Sequence, residues 1–181
     1  MAIYLQTRGW EVRGVEADAE LASIARGSGV VVVEGDLESA TTWQSVGEGY
    51  DAVLFSDVLE HLSDPGGALR SAIAALRPGG GILVSLPTVS YWRIRLNLML
   101  GRWEYQDAGI LDRTHRWFLT RSTMIELFND AGLHVESMSP LPTSSPQMRA
   151  WYQRFWIALA HMRPTLFAVG FLWWLKPHER R

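Results

Sequence analysis

The chain has no cysteine, so disulfides, thiolate metal sites and cysteine nucleophiles are all excluded. Lysine is nearly absent: Lys176 is the only one among 17 basic residues, an arginine bias assigned to genome composition rather than to function. The dinucleotide fingerprint G-x-G-x-x-G is missing, because Gly27-Ser28-Gly29 runs into valines and Gly79-Gly80-Gly81 lies at a helix-to-strand return. A nicotinamide dehydrogenase is disfavoured on that ground. Charge of one sign is scarce too. A formal net charge of -2 gives no bulk field for a polyanion, so no nucleic-acid partner is expected. Long apolar runs are lacking: Thr165 to Leu175 is the most apolar stretch, and extending it backwards meets Pro164, Arg163 and His161 well short of the roughly 20 residues a span needs. Met1 opens no secretory signal, since Ile3-Tyr4-Leu5 is followed by Gln6-Thr7-Arg8, and the expectation is a cytoplasmic protein.

What is present is a chain of 181 residues, 48% hydrophobic and 20% charged, fitting one globular domain. Its most informative segment is Tyr50 to Pro87. Ala52–Phe55 and Ile82–Leu86 are short apolar runs, as in parallel strands buried on both faces. Between them Asp64 is a candidate N-cap with Pro65 behind it, and Leu69, Ala72, Ile73 and Leu76 recur at helical spacing. Pro78-Gly79-Gly80-Gly81 is expected to stop that helix and turn the chain back. The segment is a βαβ unit, right-handed by the general rule.

On these residues the chain resembles class I S-adenosylmethionine-dependent methyltransferases. Ser56-Asp57-Val58-Leu59-Glu60-His61-Leu62, followed by Leu76-Arg77-Pro78-Gly79-Gly80, is similar to that family's fourth strand, helix and fifth strand. The order continues with Val15-Glu16, Gly35-Asp36-Leu37, and Leu111-Asp112-Arg113-Thr114-His115 leading into Phe118-Leu119-Thr120-Arg121. The likeness is closest to the ubiquinone and glycan-cluster subgroup. It implies an α/β fold: a Rossmann-like, mostly parallel sheet with helices on both faces. One family feature is absent, the opening strand with its glycine-rich loop; Met1–Gly9 resembles the helix that follows that loop. The expectation is therefore a truncated or reduced domain. Without its central first strand it must pair its neighbours directly, borrow a strand, or be poorly stable.

Elsewhere, periodicity and capping predict a strand over Trp10–Val15, a helix after Asp18, a strand at Val30–Val33 and a short helix near Thr42–Val46. Further on they predict a helix within Ser90–Arg102, one over Arg121–Ala131 capped by Thr120, a strand at Leu133–Ser139, a turn-rich Pro140–Pro146 and a helix from Gln147 to about His161. Residues 90–120 are expected to form an acceptor-side insertion. Residues 165–176 are expected to form a final apolar strand in the core, with membrane contact through Trp173 and Trp174 as the alternative.

The resemblance implies S-adenosylmethionine as cofactor and a small-molecule acceptor. Glu16 would accept from the ribose hydroxyls; Asp36 would face the adenine amino group with the Leu37 amide beside it; Ser56 and Asp57 would hold the amino-acid portion from the strand end. His61 is the candidate general base, and His115 with Arg113 lies on the acceptor side. Asp57, Glu60 and His61 are also similar to a metal-holding cluster in some relatives, including small-RNA methyltransferases. No metal is assigned, Glu60 reading equally as a solvated charge. The reaction implied is methyl transfer to an oxygen or nitrogen. The alternatives are a noncatalytic methyltransferase-like module and a membrane-peripheral interaction protein, and a homo-oligomer through the incomplete sheet is a further expectation.

Overall fold

A computed structural model describes residues 1–143 and 149–178. In chain order the elements are α1 (Ala2–Thr7), β1 (Arg13–Glu16), α2 (Ala19–Gly27), β2 (Val31–Glu34), α3 (Ala40–Val46) and β3 (Tyr50–Ser56). A 3₁₀ turn at Leu59–His61 leads to α4 (Pro65–Ala75), β4 (Leu76–Pro87), α5 (Trp92–Met99) and α6 (Arg121–Asp130). The chain closes with β5 (Leu133–Pro142), α7 (Ala150–Met162), α8 (Pro164–Phe167) and β6 (Ala168–Pro177). Gln147, expected to open α7, lies outside the described residues.

Local chemistry explains the helix starts. The Asp18 carboxylate accepts from the amides of Glu20 and Leu21 at 2.9 Å each, and Asp64 accepts from Gly67 at 2.8 Å with Pro65 at the first helical position. Thr120 and Thr123 exchange side-chain and backbone bonds in a capping box that opens α6.

The helix stop at the glycine run is corrected. Helix α4 ends at Ala75, before the proline, and Leu76 already pairs with Tyr50 as the first residue of β4. The glycines lie inside the strand: pairing resumes at Ala52 with Gly81, so residues 77–80 bulge out, with Gly79 at φ +80. Strand β5 likewise continues through Pro140–Pro142, which the sequence assigned to a turn.

Two sheets form, one of four strands in the order β3-β4-β6-β5 and one of β1 and β2. Strand β4 is parallel to β3 and antiparallel to β6, which is antiparallel to β5. The interior of β4 and β6 is buried, and α6 packs over it, with Phe128 meeting Trp173 at 5.4 Å between ring centroids and Phe171 meeting Trp173 at 5.5 Å. Trp173 is fully buried in β6, so the apolar core strand expected of this segment forms, and the alternative of membrane contact through Trp173 is not met.

Direct repair of the missing first strand is also overturned. Strands β1 and β3 do not pair; the structure divides into the parallel pair β1-β2 and the four-stranded mixed sheet instead, and Ala52 and Leu54 on β3 stay exposed. The two sheets are joined through loops and helices: the Arg13 guanidinium donates to Val46 O at 2.8 Å, and the Asp64 amide donates to Glu38 Oε1 at 2.7 Å.

Two outcomes test this arrangement. A Cβ at Gly170 would stand 2.6 Å from the Leu86 carbonyl oxygen, so Gly170→Ala is expected to cost about 1–3 kcal/mol in urea unfolding. In hydrogen exchange, the outward-facing amides of β3 should exchange well before those of Ile82–Leu86; equal protection would mean that another strand covers the flank in solution.

Candidate functional site

The carboxyl ends of β1 and β2 lie side by side, because Glu16 pairs with Glu34 and the Gly35 amide donates to Glu16 O at 2.9 Å. Glu16 therefore stands next to the Asp36 turn. One Glu16 oxygen accepts from the Asp18 amide at 3.0 Å, and one Asp36 oxygen accepts from the Glu38 amide at 2.8 Å. The second oxygen of each has no hydrogen bond to the described residues, and neither has the Leu37 amide. The Leu37 side chain packs on the same core cluster as Val58 and Leu62, and the Asp64 amide donates to Glu38 Oε1 at 2.7 Å, which ties the segment after β2 to the one after β3.

Ser56 ends β3, and Asp57 follows at φ +51, the one non-glycine residue with positive φ among the described residues. Its amide is held by Ser85, 3.0 Å from Oγ and 3.3 Å from the carbonyl oxygen. That amide is committed inside the fold, while Asp57 itself is exposed.

The 3₁₀ turn then carries Glu60 inward and His61 outward. The Glu60 side chain is 1% exposed and neither oxygen has a hydrogen-bond partner among the described residues, while its backbone carbonyl accepts from the amides of Arg116 (2.8 Å) and Trp117 (3.2 Å). Its reading as a solvated charge is corrected: the 116–117 loop, pinned across the turn by Arg116 on Ser63 and Trp117 on Leu62, seals it off. Burial pushes the Glu60 pKa up to about 7, and the nearby Asp57 charge adds to the rise. His115 Nε2 lies 3.9 Å from Glu60 Oε1, and burial pushes the His115 pKa down. Both groups are driven toward their neutral forms, so at neutral pH this contact is not an ion pair.

His61 and His115 meet edge to face at 4.7 Å, and Thr114 ties His61 to Asp112. The Asp112 carboxylate, held below the usual range by the Thr114 hydroxyl and amide, can only accept, so Thr114 Oγ1 donates to it at 2.6 Å. The Thr114 oxygen must then accept from His61 Nδ1–H at 3.1 Å, which assigns the tautomer and leaves the Nε2 lone pair free. The other candidate, Arg113, is not brought in: it pairs with Asp107 at 2.8 Å on the exposed side of the loop. Ligand atoms of Glu60, His61 and His115 lie within 4.8 Å of one another, the set that would hold a cation here, and Asp57 is outside it.

The methyltransferase domain family matches residues 1–138, the stretch that contains every one of these groups. The chain belongs to that family. A ubiquinone biosynthesis O-methyltransferase of Aeromonas salmonicida is 28% identical over 138 residues, covering 73% of this chain and 57% of that one. The corresponding protein of Parvibaculum lavamentivorans is 29% identical over 103 residues, covering 56% and 40%. The methyltransferase domain thus spans about half the length of the curated relatives it matches. Among solved structures, a SAM-dependent methyltransferase from Archaeoglobus fulgidus superposes with a TM-score of 0.65 at 15% identity, covering 97% of this chain and 80% of that one. One from Methanosarcina mazei gives 0.67 at 11% identity, covering 99% and 88%. The α/β fold of those enzymes is therefore shared.

The signals for Thr114 and for the burial of Glu60 are long-range contacts, 53 residues apart in the case of Thr114 and His61, so no local pattern exposes them. Glu60 gives a pH test. Below about pH 4.5 it is protonated whether folded or unfolded; between 4.5 and about 7 only the folded form keeps the proton. Its contribution to stability is thus complete below 4.5 and is lost as pH rises through 7, by on the order of 3 kcal/mol. His115, with its pKa lowered, runs the other way and loses stability as pH falls below 6.5. Glu60→Gln should remove only the first dependence, so the variant should match the wild type near pH 4.5 and exceed its unfolding free energy increasingly up to about pH 7, with no further divergence above that.

Proposed function

We propose that this domain binds S-adenosylmethionine across the carboxyl ends of β1, β2 and β3 and transfers its methyl group to an oxygen or nitrogen of a small-molecule acceptor. The observation that carries the reading is the set of uncommitted groups along that edge: one oxygen each of Glu16 and Asp36, and the Leu37 amide. Their chemistry fits an adenosyl group, with carboxylate acceptors for ribose hydroxyls and an exocyclic amine, and an amide donor for a ring nitrogen. When bound, the cofactor supplies an activated methyl group on a sulfonium. The chain's share is to hold that group, to aim the acceptor and to take the acceptor's proton.

His61 is the base in this reading. Its Nδ1–H is anchored by Thr114 and Asp112, and its free Nε2 takes the proton of a hydroxyl acceptor. Oxygen is favoured over nitrogen by the names of the curated relatives, which are O-methyltransferases. His115 orients the acceptor beside it. The lack of cysteine accords with a cytoplasmic setting, and the open flank of β3 is where a second copy or another strand would pair.

A noncatalytic module is the rival, favoured by the engaged Asp57 amide. Calorimetric titration with S-adenosylmethionine separates the two, with no heat of binding expected from the rival. In the catalytic reading Glu16→Ala weakens binding about 10- to 100-fold, the loss of a charge-assisted hydrogen bond. His61→Ala leaves affinity unchanged and lowers turnover on a hydroxyl acceptor about 10²- to 10⁴-fold.

A further inference from the structure

Helix α7 has an outward face of the wrong kind for water. Trp151, Phe155, Ala158 and Met162 fall on one stripe, and all four are exposed, Trp151 at 66%, Phe155 at 51% and Met162 at 73%. Its opposite face, with Trp156 half-buried and Ala160 buried, packs inward. Helix α5 repeats the pattern: none of its residues is buried, and Leu96, Leu98, Met99 and the following Leu100 are all exposed, Met99 at 83%. The two helices are neighbours. Trp92 of α5 stacks on Trp156 of α7 at 6.2 Å and 5°, and the Arg95 guanidinium reaches Thr165 O beyond α7 at 3.0 Å.

The charge around this apolar surface has one sign. No carboxylate occurs in the sequence between Asp64 and Glu104, or between Glu136 and Glu179, although the whole chain carries a net charge of -2. Arg93, Arg102, Arg149, Arg154 and Arg163 are exposed around the two helices, and none is paired with a carboxylate among the described residues.

We propose that α5 and α7 form a docking surface for an anionic membrane, lying in the interface with their apolar residues among the acyl chains and their arginines on the phosphates. The combination of exposed tryptophan, phenylalanine and leucine with unpaired arginines matches that environment, where aromatic rings settle at headgroup depth and each basic residue gains from the surface potential. Contact is from one side: no helix among the described residues is long and apolar enough to cross a membrane. A second copy of the chain fits poorly, since a two-fold contact through this face would set arginines against arginines with no carboxylate to answer them. The residues differ from the tryptophans of β6.

The test is flotation of the full chain with vesicles of phosphatidylcholine alone or of phosphatidylcholine mixed with phosphatidylglycerol. Binding is expected to the mixed vesicles and to weaken with salt. Replacing Arg93, Arg102, Arg149 and Arg154 by Gln should lower partitioning about fivefold for each residue. Trp151→Ser with Phe155→Ser should abolish quenching of tryptophan fluorescence by brominated acyl chains. Circular dichroism and unfolding midpoints should not move in either variant, because every altered side chain is exposed; a Met99→Ser variant gives an independent reading from α5 if one fails to fold. Absence of flotation, equal binding to both vesicle types, or variants that float like the wild type would overturn the proposal. So would self-association through this face that vesicles do not compete away.

Discussion

Strand β4 holds the molecule together. Among the described residues it is the one strand with a parallel neighbour on one side and an antiparallel neighbour on the other, and Ile82, Val84 and Leu86 along it are fully buried. Its carboxyl end also sets the functional edge: the Ser85 hydroxyl and carbonyl fix the Asp57 amide, the Thr88 hydroxyl and the Val89 amide donate to Leu119 O in the segment that precedes α6, and the Thr88 amide donates to Val169 O of β6. The turn bearing Glu60 and His61 and the loop bearing Thr114 and His115 are thus both hung from one strand end. A close-packed support of this kind keeps two loops, far apart in sequence, in hydrogen-bond register.

That register creates an unusual electrostatic site. A carboxyl group without partners would be driven to neutrality by burial alone, and the neighbouring imidazole of His115 is driven the same way. Beside this pair stands a second histidine whose proton position is dictated from outside, by a carboxylate and a hydroxyl on the opposite loop. Perturbed acids and bases gathered at a strand end are the pattern of a working site in an open α/β sheet.

The division of the sheet is the other organising fact. Where the family places a central strand, β1 and β3 stand apart, each with one unpaired flank, and the contacts joining the halves are few and carried by side chains such as Arg13 and Glu38. Unpaired strand edges can template the pairing of further strands. Apolar residues at the surface cluster differently, on α5 and α7, where the acidic residues that would ordinarily accompany such helices are missing.

Much of this was legible in the amino-acid order. The βαβ unit, the caps at Asp18, Asp64 and Thr120, and the acidic strand ends at Glu16 and Asp36 follow from propensity, periodicity and spacing, all local properties. The errors arose where distant residues decide. Pro140–Pro142 reads as a turn but becomes strand because β6 offers it a partner, and Leu76 reads as helix but is claimed by Tyr50. Glu60 and Thr114 are ordinary polar residues in isolation. The sequence by itself determined which segments form helices and strands and which carboxylates end the strands, because those depend on neighbours within a few positions. Only the tertiary structure decided that Glu60 is buried, that His61 is held in one tautomer and that β1 and β3 stay apart, because burial and pairing depend on contacts dozens of residues away.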